Sequence, residues 1–294
     1  MEPILDLRDL CVEVDTGTKV HRVLDGVSLK VHPGRTLAIV GESGCGKSMT
    51  ALAAMQLLPD RFRVSGGQIL LNGEDLARAR PARLRQLRGN VISMIFQEPM
   101  TSLNPLLTVE RQIAEVVELH HGKSASEARE AALAMLHAVQ IPSPEVRLKA
   151  YPHELSGGMR QRVMIAIALA CRPKVIIADE PTTALDVTVQ AQIFRLLRAL
   201  QAETETAIML ITHDLGAVAE MADDVAVLYA GKTVETGAVR DILDRPAHPY
   251  TQSLMSCTPR LRIGAAARSQ ERKPLGEIAG MVPPLGRFPK ACRF

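Results

Sequence analysis

Apolar positions fall along this chain in three patterns. Through residues 4–14 and 20–31 they alternate loosely with polar ones, as in half-buried antiparallel strands, and Asp15-Thr16-Gly17-Thr18 supplies a turn between them. Elsewhere the runs are short and unbroken, at Thr36–Val40, 91–96, Val175–Asp179 and 207–212, as strands buried on both faces require. Residues 67–73 read as a further strand closed by an Asn-Gly turn. Helical spacing governs the third pattern. An apolar stretch at 49–58 follows the first buried strand, 163–171 is another, and Val189, Ile193, Leu196, Leu197 and Leu200 share one stripe. Between 98 and 155 the character is helical throughout, with helices at 109–120 and 126–140. The second carries Ala132, Leu136 and Val139 at i, i+4 and i+7, and Ile141-Pro142-Ser143-Pro144 breaks it. Alternating buried strands and helices predict an α/β fold with a mainly parallel sheet, an antiparallel β subdomain before it and a helical subdomain inserted in it. Residues 274–294 hold seven Gly or Pro among 21 and predict an extended tail without packed elements of its own.

Four of the buried strands end on polar groups, and open α/β sheets hold ligands beyond the carboxyl ends of their strands. The strand at Thr36–Val40 runs into Gly41-Glu42-Ser43-Gly44-Cys45-Gly46-Lys47-Ser48, which fits G-x-x-x-x-G-K-[ST] at every fixed position. Glycines without a Cβ let backbone N–H groups close around phosphate oxygens, and the helix that follows adds its positive dipole end. Gly41, Ser43, Gly44, Cys45, Gly46, Lys47, Ser48 and Met49 are therefore candidate nucleotide contacts, with Lys47 reaching the β- and γ-phosphates and Ser48 a Mg²⁺ ion. Alone, such a loop could be a glycine turn before a helix; the other strand ends tell against that. They carry Gln97, Asp179-Glu180 and His213. Paired acids at a strand end suit a metal and an attacking water, because adjacent strand residues point to opposite sides. Leu155-Ser156-Gly157-Gly158 opens the helix through 163–171, with Ser156 placed as an N-cap and the glycines exposing backbone N–H groups.

Composition adds limits. With 47% hydrophobic and 23% charged residues and a net charge of +3, the chain is an ordinary globular protein without the basic excess that would argue for nucleic acid. Arg78, Arg80, Arg83, Arg85 and Arg88 form a basic run with no aromatic interleaved to stack on bases, so a solvated helix face is the expectation, with anionic lipid headgroups as the second reading. No apolar run approaches the ~18–20 residues of a membrane-spanning helix, and Met1-Glu2-Pro3 opens no secretory leader. Five scattered cysteines, Cys11, Cys45, Cys171, Cys257 and Cys292, form no disulfide framework and point to a reducing cytoplasm.

Taken together, the phosphate loop, Gln97, Leu155-Ser156-Gly157-Gly158, Asp179-Glu180, Thr183-Ala184-Leu185-Asp186 and His213 resemble ABC-type ATPases in identity and order, from about residue 5 to 237. The stretches from Phe96 to Pro105 and from Ala178 to Thr188, with His248-Pro249-Tyr250-Thr251, resemble the ATP-binding subunits of bacterial oligopeptide/dipeptide importers. Gly280-Met281-Val282-Pro283-Pro284 resembles the start of that subfamily's carboxyl-terminal extension. The resemblance implies an ABC-type P-loop ATPase domain at 1–245, with the helical subdomain at about 98–159, and an extension at 246–294. It implies ATP and Mg²⁺ as ligands, with Lys47 on the phosphates and Ser48, Gln97 and Asp179 at the metal. Glu180 is then the general base, Gln97 senses metal and water, and His213 contacts the γ-phosphate. Asp186 lies in a loop crossing a dimer interface, and Ser156, Gly157 and Gly158 meet ATP held by an opposing subunit.

The partners so implied are a second homologous ATPase subunit in a heterodimer, two transmembrane permease subunits and, through them, a periplasmic solute-binding protein. The setting is the cytoplasmic face of the bacterial inner membrane. Di- or oligopeptides lead as cargo, with nickel chelates, glutathione and opines as alternatives. A soluble ABC ATPase acting on DNA or ribosomes fits less well, since the chain has one core and no sustained heptads. Two departures from the family pattern stand out. Val14 occupies the place where an aromatic usually stacks on adenine, with His21 a possible substitute. Cys292 is the one cysteine of the 274–294 tail, and one thiolate cannot give the Cys₄ ligation of an iron–sulfur cluster, so no cluster is expected in these 294 residues.

Overall fold

A computed structural model describes residues 2–98, 102–182, 185–257, 282–286, 288–289 and 292–294. Strands β1 (Leu5–Asp15) and β2 (Val20–Val31) pair antiparallel, and β4 (Phe62–Leu71) and the short β5 (Glu74–Asp75) complete a four-stranded antiparallel sheet in the order β2-β1-β4-β5. A six-stranded sheet, β10-β9-β3-β8-β7-β6, forms the centre. Its strands are β3 (Thr36–Val40), β6 (Ile92–Ile95), β7 (Val175–Asp179), β8 (Ala207–Ile211), β9 (Asp224–Tyr229) and β10 (Lys232–Ala238). All pair parallel except β10, which turns back antiparallel on β9.

The unbroken apolar runs owe their character to burial on both faces. In β7, Ile177 faces a core shared with the antiparallel sheet and helix α1 (Lys47–Ala54), while Ile176 and Ala178 face a second core on the other side. In β8, Met209 and Ile211 take the first side, and Ile208 and Leu210 the second. Each fully buried aliphatic side chain contributes about 1.5–3 kcal/mol relative to exposure. Two-sided burial of this kind leaves no position for a polar residue until the strand ends.

The remaining helices are α2 (Pro81–Leu87), α3 (Val109–His121), α4 (Ala125–Ala138), α5 (Pro144–Arg147), α6 (Gly157–Leu169), α7 (Val187–Thr204), α8 (Leu215–Met221), α9 (Val239–Asp244) and α10 (Pro249–Ser256). The inserted region is built from α3 and α4, capped by Thr108 and by the Ser124–Glu127 capping box. It joins the second core through Ile113 and Leu136.

Four expectations need correction. The first helix stops at Ala54, four residues early, where Gln56 turns left-handed and Arg88 donates to the carbonyls of Met55 and Gln56. Arg88 is thus a half-buried cap on the end of α1, its pKa lowered by burial, whereas Arg78, Arg80, Arg83 and Arg85 do lie in solvent. The strand expected at 67–73 begins at Phe62, extended by pairing with β1. The described tail residues have no regular structure, yet Val282 and Phe288 pack on the core beside β9 and α10. No helix among the described residues is long and apolar enough to cross a membrane.

Candidate nucleotide site at the carboxyl edge of the sheet

Because β6, β7, β8 and β3 are parallel neighbours, their carboxyl ends deliver Gln97, Asp179-Glu180, His213 and the loop after Val40 to one edge. One cleft is lined there by Gly41, Glu42, Ser43, Gly44, Gly46, Lys47, Ser48, Met49, Gln97, Glu180 and His213, joined by Val23 and Leu254.

The loop wraps tightly. At Gly41 a Cβ would come within 2.2 Å of the Leu228 carbonyl and 2.8 Å of Cys45 Sγ, so no side chain fits. Lys47 is 7% exposed, and its Nζ donates to the Gly41 and Glu42 carbonyls at 2.7 and 2.9 Å, which holds the ammonium inside the loop's curve. Cys45 is wholly buried under the loop, and burial raises its thiol pKa against the pull of Lys47. It lies outside the cleft lining.

Asp179 is 3% exposed. Burial pushes its carboxyl above the ordinary aspartate range and Glu180 adds to that, while a hydrogen bond from Ser48 and the charge of Lys47 act against it. Its Oδ1 is buried without a hydrogen-bond partner. An orphaned carboxylate oxygen beside a serine hydroxyl, with the amide of Gln97 facing the same cleft, is an oxygen donor set of the kind that Mg²⁺ takes. Glu180 sits in a left-handed backbone conformation at φ 50°, held by its N–H to Ile211 O at 2.9 Å. Such a φ is costly for a residue with a side chain and is kept where the surroundings fix it. It aims the carboxylate between two neighbours: Gln97 Nε2 donates to Oε2 at 3.3 Å, and His213 Nδ1 lies 3.2 Å from Oε1.

The other predicted residues lie elsewhere. Ser156 caps α6, accepting from Met159 N at 3.3 Å, and Asp186 caps α7, accepting from Val189 N at 3.0 Å. Ser156, Gly158 and Asp186 line a separate cavity with Met159, Arg162 and Leu185, and Gly157 is exposed beside it. Within one chain this group and the phosphate loop are not brought together. Thr183 and Ala184 lie outside the described residues. A buried bridge does connect the regions: Gln161 Nε2 on α6 donates to Pro181 O, next to Glu180, at 2.7 Å. Val14 and His21 are cross-strand partners and neither lines the cleft. Gly286 of the tail lies against the His21 ring, where a Cβ would come within 2.3 Å. Sequence reasoning missed Val23 and Leu254; no spacing or residue type sets them apart from other core aliphatics.

Residues 24–183 match the family model described as ABC transporter, and residues 234–294 match the one described as oligopeptide/dipeptide transporter, C-terminal region. The chain is 52% identical to a probable peptide ABC transporter ATP-binding protein of Sinorhizobium fredii, over 99% of this chain and 85% of the relative. It is 48% identical to the dipeptide transport ATP-binding protein DppD of Bacillus subtilis, over 100% of this chain and 86% of the relative. Among solved structures it resembles the dimeric post-hydrolysis state of the ATP-binding cassette MJ0796 bound to ADP and Pi. There the TM-score is 0.74 at 27% identity, covering 80% of this chain and 99% of that one.

Proposed function

The chain belongs to the ATP-binding subunits of ABC transporters, in the oligopeptide/dipeptide branch, and from that premise we propose how its residues energise a peptide importer. Hydrolysis of ATP coupled to transport is the family's activity, and membrane permease subunits with a second ATPase are the partners it implies. The finer reading is a heterodimer of ATPases on two permeases at the cytoplasmic face of the bacterial inner membrane, fed by a periplasmic solute-binding protein. The cargo in this reading is a di- or oligopeptide. The domain division is part of the same proposal: 1–245 as the ATPase with 98–159 inserted, and 246–294 as the extension.

ATP is the substrate. Backbone N–H groups from Ser43 to Met49 and the ammonium of Lys47 bind its phosphates. Ser48, Asp179 and Gln97 would hold Mg²⁺, which neutralises charge on the β- and γ-phosphates when bound. Glu180 takes a proton from water as the water oxygen attacks the γ-phosphorus, while the bond to the β-phosphate oxygen breaks and its electron pair leaves with ADP. Gln97 and His213 orient the Glu180 carboxylate, and His213 also reaches the γ-phosphate. Ser156, Gly157 and Gly158 close over ATP held by the partner ATPase, with Asp186 at that interface. An iron–sulfur cluster is not part of this reading. Of the five cysteines in these 294 residues, Cys45 and Cys171 are buried in the core and Cys11 lies on β1, so this stretch by itself offers two thiols, Cys257 and Cys292, to a cluster that takes four.

The observation that carries the proposal is Glu180 held between Gln97 and His213 over the cleft that contains the phosphate loop. The test is ATP hydrolysis by the assembled transporter in proteoliposomes. Peptide-loaded binding protein should stimulate it, and Lys47→Ala should abolish the stimulation; turnover indifferent to both would overturn the reading.

A further inference from the structure

The phosphate loop is braced from behind by the carboxyl-terminal part of the chain, and the brace ends on one hydroxyl. Tyr250 on α10 is wholly buried, and its Oη accepts a hydrogen bond from Glu42 N–H at 2.9 Å. Glu42 is the second residue of the loop, and its carbonyl is one of the two that accept from Lys47 Nζ. The same peptide segment is thus gripped by Tyr250 on its N–H side and by Lys47 on its carbonyl side. A second strut comes from the turn after β9, where Gly231 N donates to Cys45 O at 2.9 Å.

Both struts are anchored outside the phosphate loop itself. The start of α10 is pegged to β10, because Ala247 N and His248 N donate to the Glu235 carboxylate at 2.7 and 3.0 Å. The ring of Tyr250 lies 4.5 Å from that of Tyr229 and 5.4 Å from that of Phe294, and Phe294 is 5.5 Å from Tyr229. Arg293, whose side chain is 8% exposed, donates to Asp25 Oδ2 at 2.6 Å and to the Ala230 carbonyl, and stacks over Phe288 at 4.1 Å. The tail therefore clamps the Tyr229–Ala230–Gly231 turn and the Tyr250 ring together, beneath the loop.

We propose that Tyr250 is a positioning residue for nucleotide binding, setting the curvature of the phosphate loop through Glu42 N–H, and that Arg293 and Phe294 lock it in place. This rests on the loop being the ATP site. The physical reason is that a phosphate-binding loop works by holding backbone N–H groups aimed at one point before the ligand arrives. Glu42 N–H is committed to Tyr250, so the loop enters its curve from a fixed point. Loss of the hydroxyl leaves a half-buried N–H without its partner and frees that entry.

The test uses the full chain. Tyr250→Phe keeps the ring and its packing and removes only the acceptor. Calorimetric titration should show ATP bound about three- to tenfold more weakly, the range of one lost hydrogen bond. In the assembled transporter KM for ATP should rise by the same factor with kcat within a factor of about two, a split that general loss of stability does not produce. On a Phe294→Ala background the same substitution should cost less, because the ring is already loosened. Unchanged ATP affinity in Tyr250→Phe, while Lys47→Ala loses binding, would overturn this inference and leave the ATP site standing. Normal ATP binding by Lys47→Ala would instead remove the site itself. Should Tyr250→Phe fold poorly, the unaltered chain gives a second readout, since it has three tyrosines. With fluorotyrosine incorporated and the signals assigned by Tyr151→Phe and Tyr229→Phe, the Tyr250 resonance should shift on adding a non-hydrolysable ATP analogue. A Tyr250 signal that stays still would overturn the proposal.

Discussion

The two helix ends proposed to meet phosphate, at α1 and at α6, differ in how finished they are. At α1 the loop, the buried Lys47 and the bridged Glu180 line one cleft and are held by hydrogen bonds, with the orphaned Asp179 oxygen next to Glu180 in the chain. At α6 the Ser156 cap and Gly158 face an open cavity that, among the described residues, is lined by no carboxylate–histidine pair and no lysine. Beside it Val187 is 82% exposed, an aliphatic side chain left uncovered by the described residues. In the proposed reading the first region is a binding site with a chemical apparatus, and the second is half of one. One chain separates them, and in the proposed dimer a complete γ-phosphate environment would draw on two subunits, each lending its α6 end to the other's loop.

The sharpest way to break this contrast is at Glu180. Glu180→Gln should keep ATP binding and lower kcat of the assembled transporter by about 10²–10⁴-fold, the usual reach of a general base; steady-state phosphate release measures it. Lys47→Ala strikes binding instead and should weaken ATP by about tenfold to a hundredfold, as the loss of a charge-assisted bond predicts, read by calorimetry. Ser156→Ala should divide the two regions most cleanly. It removes a helix cap worth about 0.5–2 kcal/mol of stability, leaves this chain's own ATP affinity unchanged, and slows hydrolysis at the site the partner holds. Thermal unfolding and single-turnover hydrolysis separate those effects. The smallest change is expected from Val14→Tyr. A ring at the end of β1 should tighten ATP by about 1 kcal/mol, near the low end of base–aromatic stacking, in titrations with ATP and GTP. Unchanged affinity would leave the base to Val23 and Leu254.

Legibility in the sequence followed the same divide. Two-sided burial made β3, β7 and β8 readable almost to the residue, because a strand with no polar position until its end announces both its faces and its terminus. That is why Gln97, Glu180 and His213 could be expected together: four ends of parallel neighbours have one place to go. Composition could not reveal Arg88 as a helix cap, since a guanidinium that reaches two carbonyls some thirty residues back looks like any member of a basic run. Nor could it find the Tyr250 brace. Gly and Pro in the tail say that helices and strands are absent, and they are silent on what Arg293 and Phe294 touch. Long-range side-chain contacts of that kind have no periodicity to read.

The claim that two half-sites need two subunits is tested most directly by sedimentation velocity on the Glu180→Gln chain mixed with the second ATPase subunit of its transporter. Alone, the chain should sediment as a monomer and hydrolyse ATP weakly. With the partner and Mg-ATP it should form a one-to-one complex that falls apart when nucleotide is removed. A tight homodimer in the absence of ATP, with full hydrolysis by the unaltered chain unaided, would show that the region around α6 is not waiting for a second subunit.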